Sequence, residues 1–147
     1  MGSEITLINS VTPDQAYSVL TKAYECSIYP IGPQWQRKHL EDYCKRDSVL
    51  TIHLKHQPVG FICLTKIDAQ TIEILLLAIS PEYWRQGFMK QAILQLLQTY
   101  SEIWLEVHEQ NLPAKQLYLS LGFEITGKRP NYYKNDGNAL VMRYKKS

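Results

Sequence analysis

The chain predicts a mixed α/β fold with its elements in the order β-α-α-β-β-β-α-β-α-β-β. Three observations carry that expectation. Short apolar runs alternate with segments of helical apolar spacing. The breaks between them fall at Pro, Gly, Asn and Asp. No repeat, low-complexity tract or linker interrupts the 147 residues, a length that fits one compact domain over 1–147 with a sizeable core.

Each element has its own signal. Ile5–Ile8 reads as the first strand, and Thr12-Pro13-Asp14 then opens a helix through an N-cap and an early proline, running to about Tyr24. Pro30, Gly32 and Pro33 break the chain into a loop, and a second helix follows from near Gln34 to Lys45. Val49–Leu54 and Val59–Thr65 are two strands joined by the polar turn Lys55-His56-Gln57-Pro58. Asp68-Ala69-Gln70 marks a turn before the apolar run Ile72–Ile79.

Met89, Ile93, Leu96, Leu97 and Tyr100, with Phe88 and Ala92 beside them, place one buried stripe on a helix from Arg85. In the next strand, Ile103, Leu105 and Val107 point to one side and Trp104, Glu106 and His108 to the other. Asn111 opens the fourth helix; Gly122–Ile125 and Ala139–Tyr144 supply the last two strands, around a loop rich in Asn, Asp and Gly.

Composition narrows the function classes. Charged residues are 20% and hydrophobic ones 45%, an ordinary globular balance. A net charge of +2 gives no support to nucleic-acid binding. No apolar run approaches the roughly 20 residues of a membrane span, and no signal peptide is visible. The start Met1-Gly2-Ser3-Glu4-Ile5-Thr6 formally fits a myristoylation pattern, but no polybasic partner follows it. Cys26, Cys44 and Cys63 are an odd number without CxxC spacing, which favours free thiols in a reducing cytoplasm over disulfides or zinc. Cys63, inside an apolar run, reads as packed.

Two places draw chemical attention. Gly87 sits in the first turn expected of the helix from Arg85, where backbone N–H groups lack intrahelical partners. Without a Cβ it lets a ligand approach closely, and Arg85 and Lys90 add positive charge suited to a pyrophosphate. An ordinary strand–helix turn accounts for the same glycine equally well. Glu106 lies in the middle of a strand, and carboxylates are rarely buried without a reason. Its competitor is His108 on the same face, and an exposed edge position beside Glu109 is the blander alternative. Asn111 caps its helix well, with Pro113 in the first turn. Tyr118 follows two turns along the same face and reads either as a proton donor or as a core aromatic beside Leu117 and Leu121.

Taken together these residues resemble the GNAT superfamily of acetyl-CoA-dependent N-acetyltransferases. The family's Q/R-x-x-G-x-G/A motif follows a strand ending in an apolar-Ala-Val run, matched here by Leu77-Ala78-Ile79 and then Trp84-Arg85-Gln86-Gly87-Phe88-Met89. The second half is similar to RimI-type ribosomal-protein-alanine N-acetyltransferases. The residues that carry this are Trp104-Leu105-Glu106-Val107, Asn111, Ala114, Leu117-Tyr118, Leu121-Gly122-Phe123 and Arg129-Pro130-Asn131-Tyr132-Tyr133. Trp84 and Met89 depart from the motif, Leu76 stands where those relatives have Asn, and Asn138-Ala139 replaces an acidic pair.

The resemblance implies one GNAT-like domain whose mixed, mostly antiparallel sheet is splayed at strands 4 and 5 and flanked by about four helices. It implies that backbone groups of Leu77, Ala78 and Ile79 pair with the pantetheine arm and that Arg85, Gln86, Gly87, Phe88, Met89 and Lys90 hold the pyrophosphate. Asn111 would contact the cofactor near its thioester, Glu106 would act as general base through water, and Tyr118 as general acid towards the CoA thiolate. The chemistry is consistent. An α-amino group titrates at about 8 and lysine at about 10.4, so a carboxylate made more basic by partial burial suits an N-terminal amine better. A backbone N–H at the end of the Ile72–Ile79 strand would stabilise the oxyanion.

The expectation is therefore a cytoplasmic N-acetyltransferase that uses acetyl-CoA and no metal, as a monomer or weak dimer. Its acceptor would be a protein or peptide α-amine, met by Trp35, Tyr132 and Tyr133 in a groove that includes the loop Tyr29–Trp35. Acetylation of a small amine, such as a polyamine or an aminoglycoside, is the second reading. A non-catalytic acetyl-CoA-binding module is the third, and it would need neither Glu106 nor Tyr118.

Overall fold

The computed structural model describes residues 4–8, 12–26, 37–46, 48–130 and 137–147. Trp35, Tyr132, Tyr133 and the loop Tyr29–Trp35 lie outside them. The elements are β1 (Ile5–Ile8), α1 (Pro13–Cys26), α2 (Arg37–Lys45), β2 (Val49–Leu54), β3 (Gln57–Lys66) and β4 (Thr71–Ile79). After a single 3₁₀ turn at Pro81–Tyr83 come α3 (Phe88–Thr99), β5 (Glu102–His108), α4 (Leu112–Ser120), β6 (Glu124–Arg129) and β7 (Ala139–Lys145). This is the order the sequence predicts.

The strands form one seven-stranded sheet in the order β1-β2-β3-β4-β5-β7-β6. Every pairing is antiparallel except β4 with β5. Helices cover both faces. Ala16, Leu20 and Ala23 of α1 and Leu40 of α2 pack on Val49, Phe61, Cys63, Leu76 and Ala78. On the opposite face Phe88, Ala92, Ile93 and Leu96 of α3 and Tyr118 of α4 join Ile62, Ile72, Ile103, Phe123 and Met142. Cys44 and Cys63 are free thiols, and Cys63 is packed in the core as expected. Among the described residues no helix is long and apolar enough to cross a membrane.

Two local corrections have physical causes. The β2–β3 turn is the pair Lys55-His56, because Gln57 and Pro58 already belong to β3 and Leu54 pairs with Gln57. Both turn residues have positive φ (51° and 70°), as a two-residue hairpin with right-handed strand twist requires. The helix expected from Arg85 starts instead at Phe88, since Arg85 (φ 64°) and Gly87 (φ 82°) are left-handed and helical geometry cannot pass through them.

What positions the site is the parting of β4 from β5. They pair over Thr71–Glu73 and Glu102–Trp104 and no further. Just past that point Cys63 faces Leu76 while Leu64 faces Ile74, so Leu75 is an extra, unopposed residue. A bulge of this kind sharpens local twist and exchanges the faces of the strand. Accordingly Ile72 and Ile74 pack towards α3, whereas Leu76 and Ala78 pack under α1 and α2. The second half of β4 thus turns away from β5 and leaves a ladder edge open.

Candidate active site

Leu77, Ala78 and Ile79 lie on the open half of β4, past the last pairing with β5. Ala78 and Ile79 are buried and Leu77 packs against the core, so contact with a ligand falls to their backbone. Ser80 donates its N–H to the Val59 carbonyl of β3 at 2.8 Å. Because that peptide is trans, the Ile79 carbonyl points the other way, into the opening.

It is already engaged there. Trp84, the residue that departs from the family motif, folds back and donates its indole Nε1–H to the Ile79 oxygen at 2.6 Å. If a pantetheine amide uses this carbonyl, the indole competes with it. Trp84→Phe keeps the ring and removes the donor, and one hydrogen bond is worth about 0.5–1.5 kcal/mol net. The variant is therefore expected to bind acetyl-CoA about threefold to tenfold more tightly by titration calorimetry, and weaker binding would make the indole a contributor to the site.

The glycine turn supports an anion better than its sequence alone suggested. Gly87 is the N-cap of α3, and a Cβ built on it would meet nothing within 4 Å. Glycine is needed here for its φ, and the space in front of it is open. The first intrahelical bond runs from Gln91 N to Gly87 O at 3.0 Å, which leaves the N–H groups of Phe88, Met89 and Lys90 at the exposed positive end of the helix. Arg85 and Lys90 are exposed, and Gln86 bonds the Glu82 carbonyl at 3.3 Å. The Phe88 side chain is buried in the core, so only its backbone faces the turn. These residues fit a pyrophosphate.

Tyr118 is buried, and burial pushes its phenol up to about 12. Its hydroxyl donates to the Met89 thioether at 4.0 Å, a weak acceptor, so the proton stays on oxygen and remains available. Met89, the second departure from the motif, thus joins the glycine turn to the candidate acid. The Tyr118 ring lies 5.7 Å from Phe123, which fixes its orientation. Asn111 caps α4 by accepting the Ala114 N–H at 3.3 Å; any cofactor contact is left to its amide nitrogen.

Glu106 is half-buried mid-strand, on the face towards the α1 and α2 layer. Oε1 accepts from Arg129 Nη1 at 2.8 Å, while Oε2 is buried and has no partner among the described residues. The sequence reading did not pair Arg129 with it. His108, the competing candidate, is buried; its Nδ1 accepts the Gln110 N–H at 3.1 Å, and its ring packs on Gly137. Asn138, in place of an acidic residue, bonds Glu109 at 3.2 Å, and Lys128 reaches the same carboxylate at 3.3 Å. Glu73, which the sequence hides in an apolar run, is the surprise of this face. Its carboxyl is held above the ordinary range, chiefly by burial and then by the Glu106 charge, with Arg129 acting the other way. Among the described residues no group of acids, histidines and cysteines is placed to hold a metal.

Comparison with known proteins agrees with this geometry. The profile of the Acetyltransferase (GNAT) family matches residues 14–123, more than half of the chain. The chain is 37% identical over 90 residues to the [Ribosomal protein bS18]-alanine N-acetyltransferase of Haemophilus ducreyi, covering 55% of this chain and 61% of that protein. Against the protein of the same name in Escherichia coli K12 it is 32% identical over 87 residues, 54% of this chain and 59% of that one. The match thus spans about three fifths of these relatives. The crystal structure of the ribosomal-protein-S18-alanine N-acetyltransferase from E. coli superposes with a TM-score of 0.76 at 24% identity, over 97% of this chain and 94% of that one. An open β4 edge, a left-handed glycine at the head of α3 and a matching profile across most of the sheet together place the chain in the acetyltransferase (GNAT) family.

Proposed function

We propose that this chain, as one catalytic domain, is an N-acetyltransferase that moves the acetyl group of acetyl-CoA to a primary amine, namely the N-terminal α-amine of a protein or peptide. The observation that carries the reading is the arrangement around the β4–β5 opening. A free strand edge leads into an anion-suited turn; β5 then supplies a half-buried carboxylate with one oxygen unpartnered among the described residues, and α4 a buried phenol. The similarity to two bS18-alanine N-acetyltransferases supports the choice of an α-amine.

The thioester supplies an activated acetyl group when bound; the chain's residues do the rest. Backbone groups of Leu77 and Ile79 align the arm as an added strand would, and the turn 85–90 anchors the phosphates at the α3 N-terminus. Oε2 of Glu106, the oxygen Arg129 leaves unused, takes up the ammonium proton by way of solvent. Tyr118, neutral through burial, donates to the departing sulfur, whose own basicity rises in the same apolar surroundings. A binding module would require neither group.

The test is to incubate the protein with acetyl-CoA and either an Ala-starting peptide or a panel of small amines while following thiol release. Turnover of the peptide alone is expected. Turnover of small amines alone would move the acceptor to that class, and binding without turnover would end the enzymatic reading.

A further inference from the structure

The chain has three methionines, Met1, Met89 and Met142, and their surroundings differ. Met142 is fully buried in the core, and Met1 lies outside the described residues. Met89 is the second residue of α3, directly after the left-handed turn at Gly87, and it is half-buried. The space in front of that turn is open, so a small solute can approach from there. From this rim the Met89 side chain packs on the core and reaches α4, where its sulfur accepts the Tyr118 hydroxyl at 4.0 Å. Among the described residues that sulfur is the one hydrogen-bond partner the hydroxyl has. A residue open to small solutes thus holds the buried candidate acid.

We propose that Met89 is a modification site at which a peroxide, by converting the thioether to a sulfoxide, ties up the Tyr118 hydroxyl and slows acetyl transfer. The proposal rests on the acetyl-transfer reading above, in which Tyr118 protonates the departing sulfur. The oxidation balances without any group from the protein. A lone pair of the Met89 sulfur forms an S–O bond as the O–O bond of the peroxide breaks. Sulfur is oxidised by two electrons, and the second oxygen is reduced and leaves as water (or as an alcohol, from an alkyl peroxide). The product is reversible, since methionine sulfoxide reductases remove the oxygen at the expense of a thiol.

The change in acceptor strength makes the switch. A thioether is a weak acceptor, so the phenol leaves it readily when the thiolate needs a proton. A sulfoxide oxygen is polar and accepts strongly, and rotation about the flexible methionine side chain brings it to the hydroxyl. Tyr118 is buried, so no bulk water competes for that bond, and low-dielectric surroundings strengthen it. The phenol must then break it before it can serve the cofactor sulfur. The thiols nearby do not intercept the oxidant. Cys63 is buried, and burial holds both the Cys44 and the Cys63 thiols above their ordinary range, which keeps them protonated and slow to react.

The experiment has two arms. In the first, the full chain is treated with hydrogen peroxide, the excess is removed, and peptide mass mapping reads oxygen uptake at each methionine. The kcat with acetyl-CoA and an accepted amine is then compared with that of the untreated sample, for the wild type, Met89→Leu and Tyr118→Phe, each against itself. Met89 should gain one oxygen well before Met142. The wild-type kcat should fall by about tenfold or more, a part of what a general acid contributes. Methionine sulfoxide reductases A and B together, one for each epimer, should restore it. Met89→Leu should lose little on treatment, and so should Tyr118→Phe, which has no hydroxyl left to tie up.

In the second arm no turnover is needed. Oxidation of Met89 is followed with and without saturating acetyl-CoA, which should slow it, because the cofactor covers the turn that leads to the sulfur. Met89 taking up oxygen no faster than Met142 overturns the proposal. So does a wild-type rate indifferent to a fully oxidised Met89. A loss on treatment as large in Tyr118→Phe as in the wild type overturns it too, since the oxygen would then act through something other than the phenol. A wild type that turns over no amine, with Met89 oxidised at the same rate whether or not acetyl-CoA is present, overturns the parent reading and takes the switch with it.

Discussion

Glu106→Gln is expected to lower kcat for acetyl transfer by about 100-fold or more, the scale of general-base catalysis, with acetyl-CoA affinity and the fold preserved. The side chain keeps its shape, and its amide oxygen can still accept from Arg129. Little stability is at stake in that pair, because Arg129 is 58% exposed against 20% for Glu106. A pair of this kind contributes about 1 kcal/mol at most, or roughly 2–4 °C in Tm for a chain of this size. What the substitution removes is the proton-accepting capacity of Oε2, the buried oxygen that nothing in the described structure satisfies. Single-turnover rates, calorimetric titration with acetyl-CoA and thermal melts separate the outcomes. A slow, stable variant that binds cofactor normally is the expected one. An unchanged rate would remove Glu106 from the reaction, and a collapse in Tm would make it a structural residue.

The sequence made Glu106 legible for a simple reason. Ile103, Leu105 and Val107 fill one face of β5, so a carboxylate between them had to face the other way. Asn111 and Tyr118 were legible because a cap and a two-turn spacing are local facts. Glu73 was not. It sits among Ile72, Ile74 and Leu75 in a run that reads as uniformly buried, and the bulge at Leu75 leaves no mark in such a run. The start of α3 was misplaced because arginine seldom takes a positive φ, so nothing at Arg85 warned of a left-handed turn. Trp84 looked like a mismatch to the motif; its indole bond to the Ile79 carbonyl exists only once the 3₁₀ turn at Pro81–Tyr83 has doubled the chain back. Positions decided by neighbours along the chain could be read from the residues, and the splay of β4 from β5 followed from the family resemblance; the bulge at Leu75 and the left-handed turn at Arg85 could be read from neither.

Gly60→Val is expected to destabilise the fold by about 3 kcal/mol, the upper range for overpacking a closed core, or roughly 6–12 °C in Tm. The fold itself dictates the glycine. Gly60 on β3 is buried and lies opposite Ile79 on β4. A Cβ placed there would strike the Ala78 carbonyl oxygen, and it would stand 2.9 Å from Ile79 Cδ1 and 3.1 Å from Ile79 Cα. Two of these three neighbours are backbone, so no rotamer change relieves the clash and β4 itself must move. The strand end that moves is Leu77–Ile79, the open edge proposed to align the pantetheine arm. Stability and cofactor affinity should therefore fall together in Gly60→Val, and both to a lesser degree in Gly60→Ala. Melting curves and acetyl-CoA titrations on the same samples test this. If the melts fall while cofactor affinity holds, the cofactor does not depend on the position of that edge. Gly87 makes the converse point, since it needs its positive φ and not the space around it. One glycine brings two strands close enough to hold the edge in place, and the other turns the chain so that the α3 N-terminus faces the same opening.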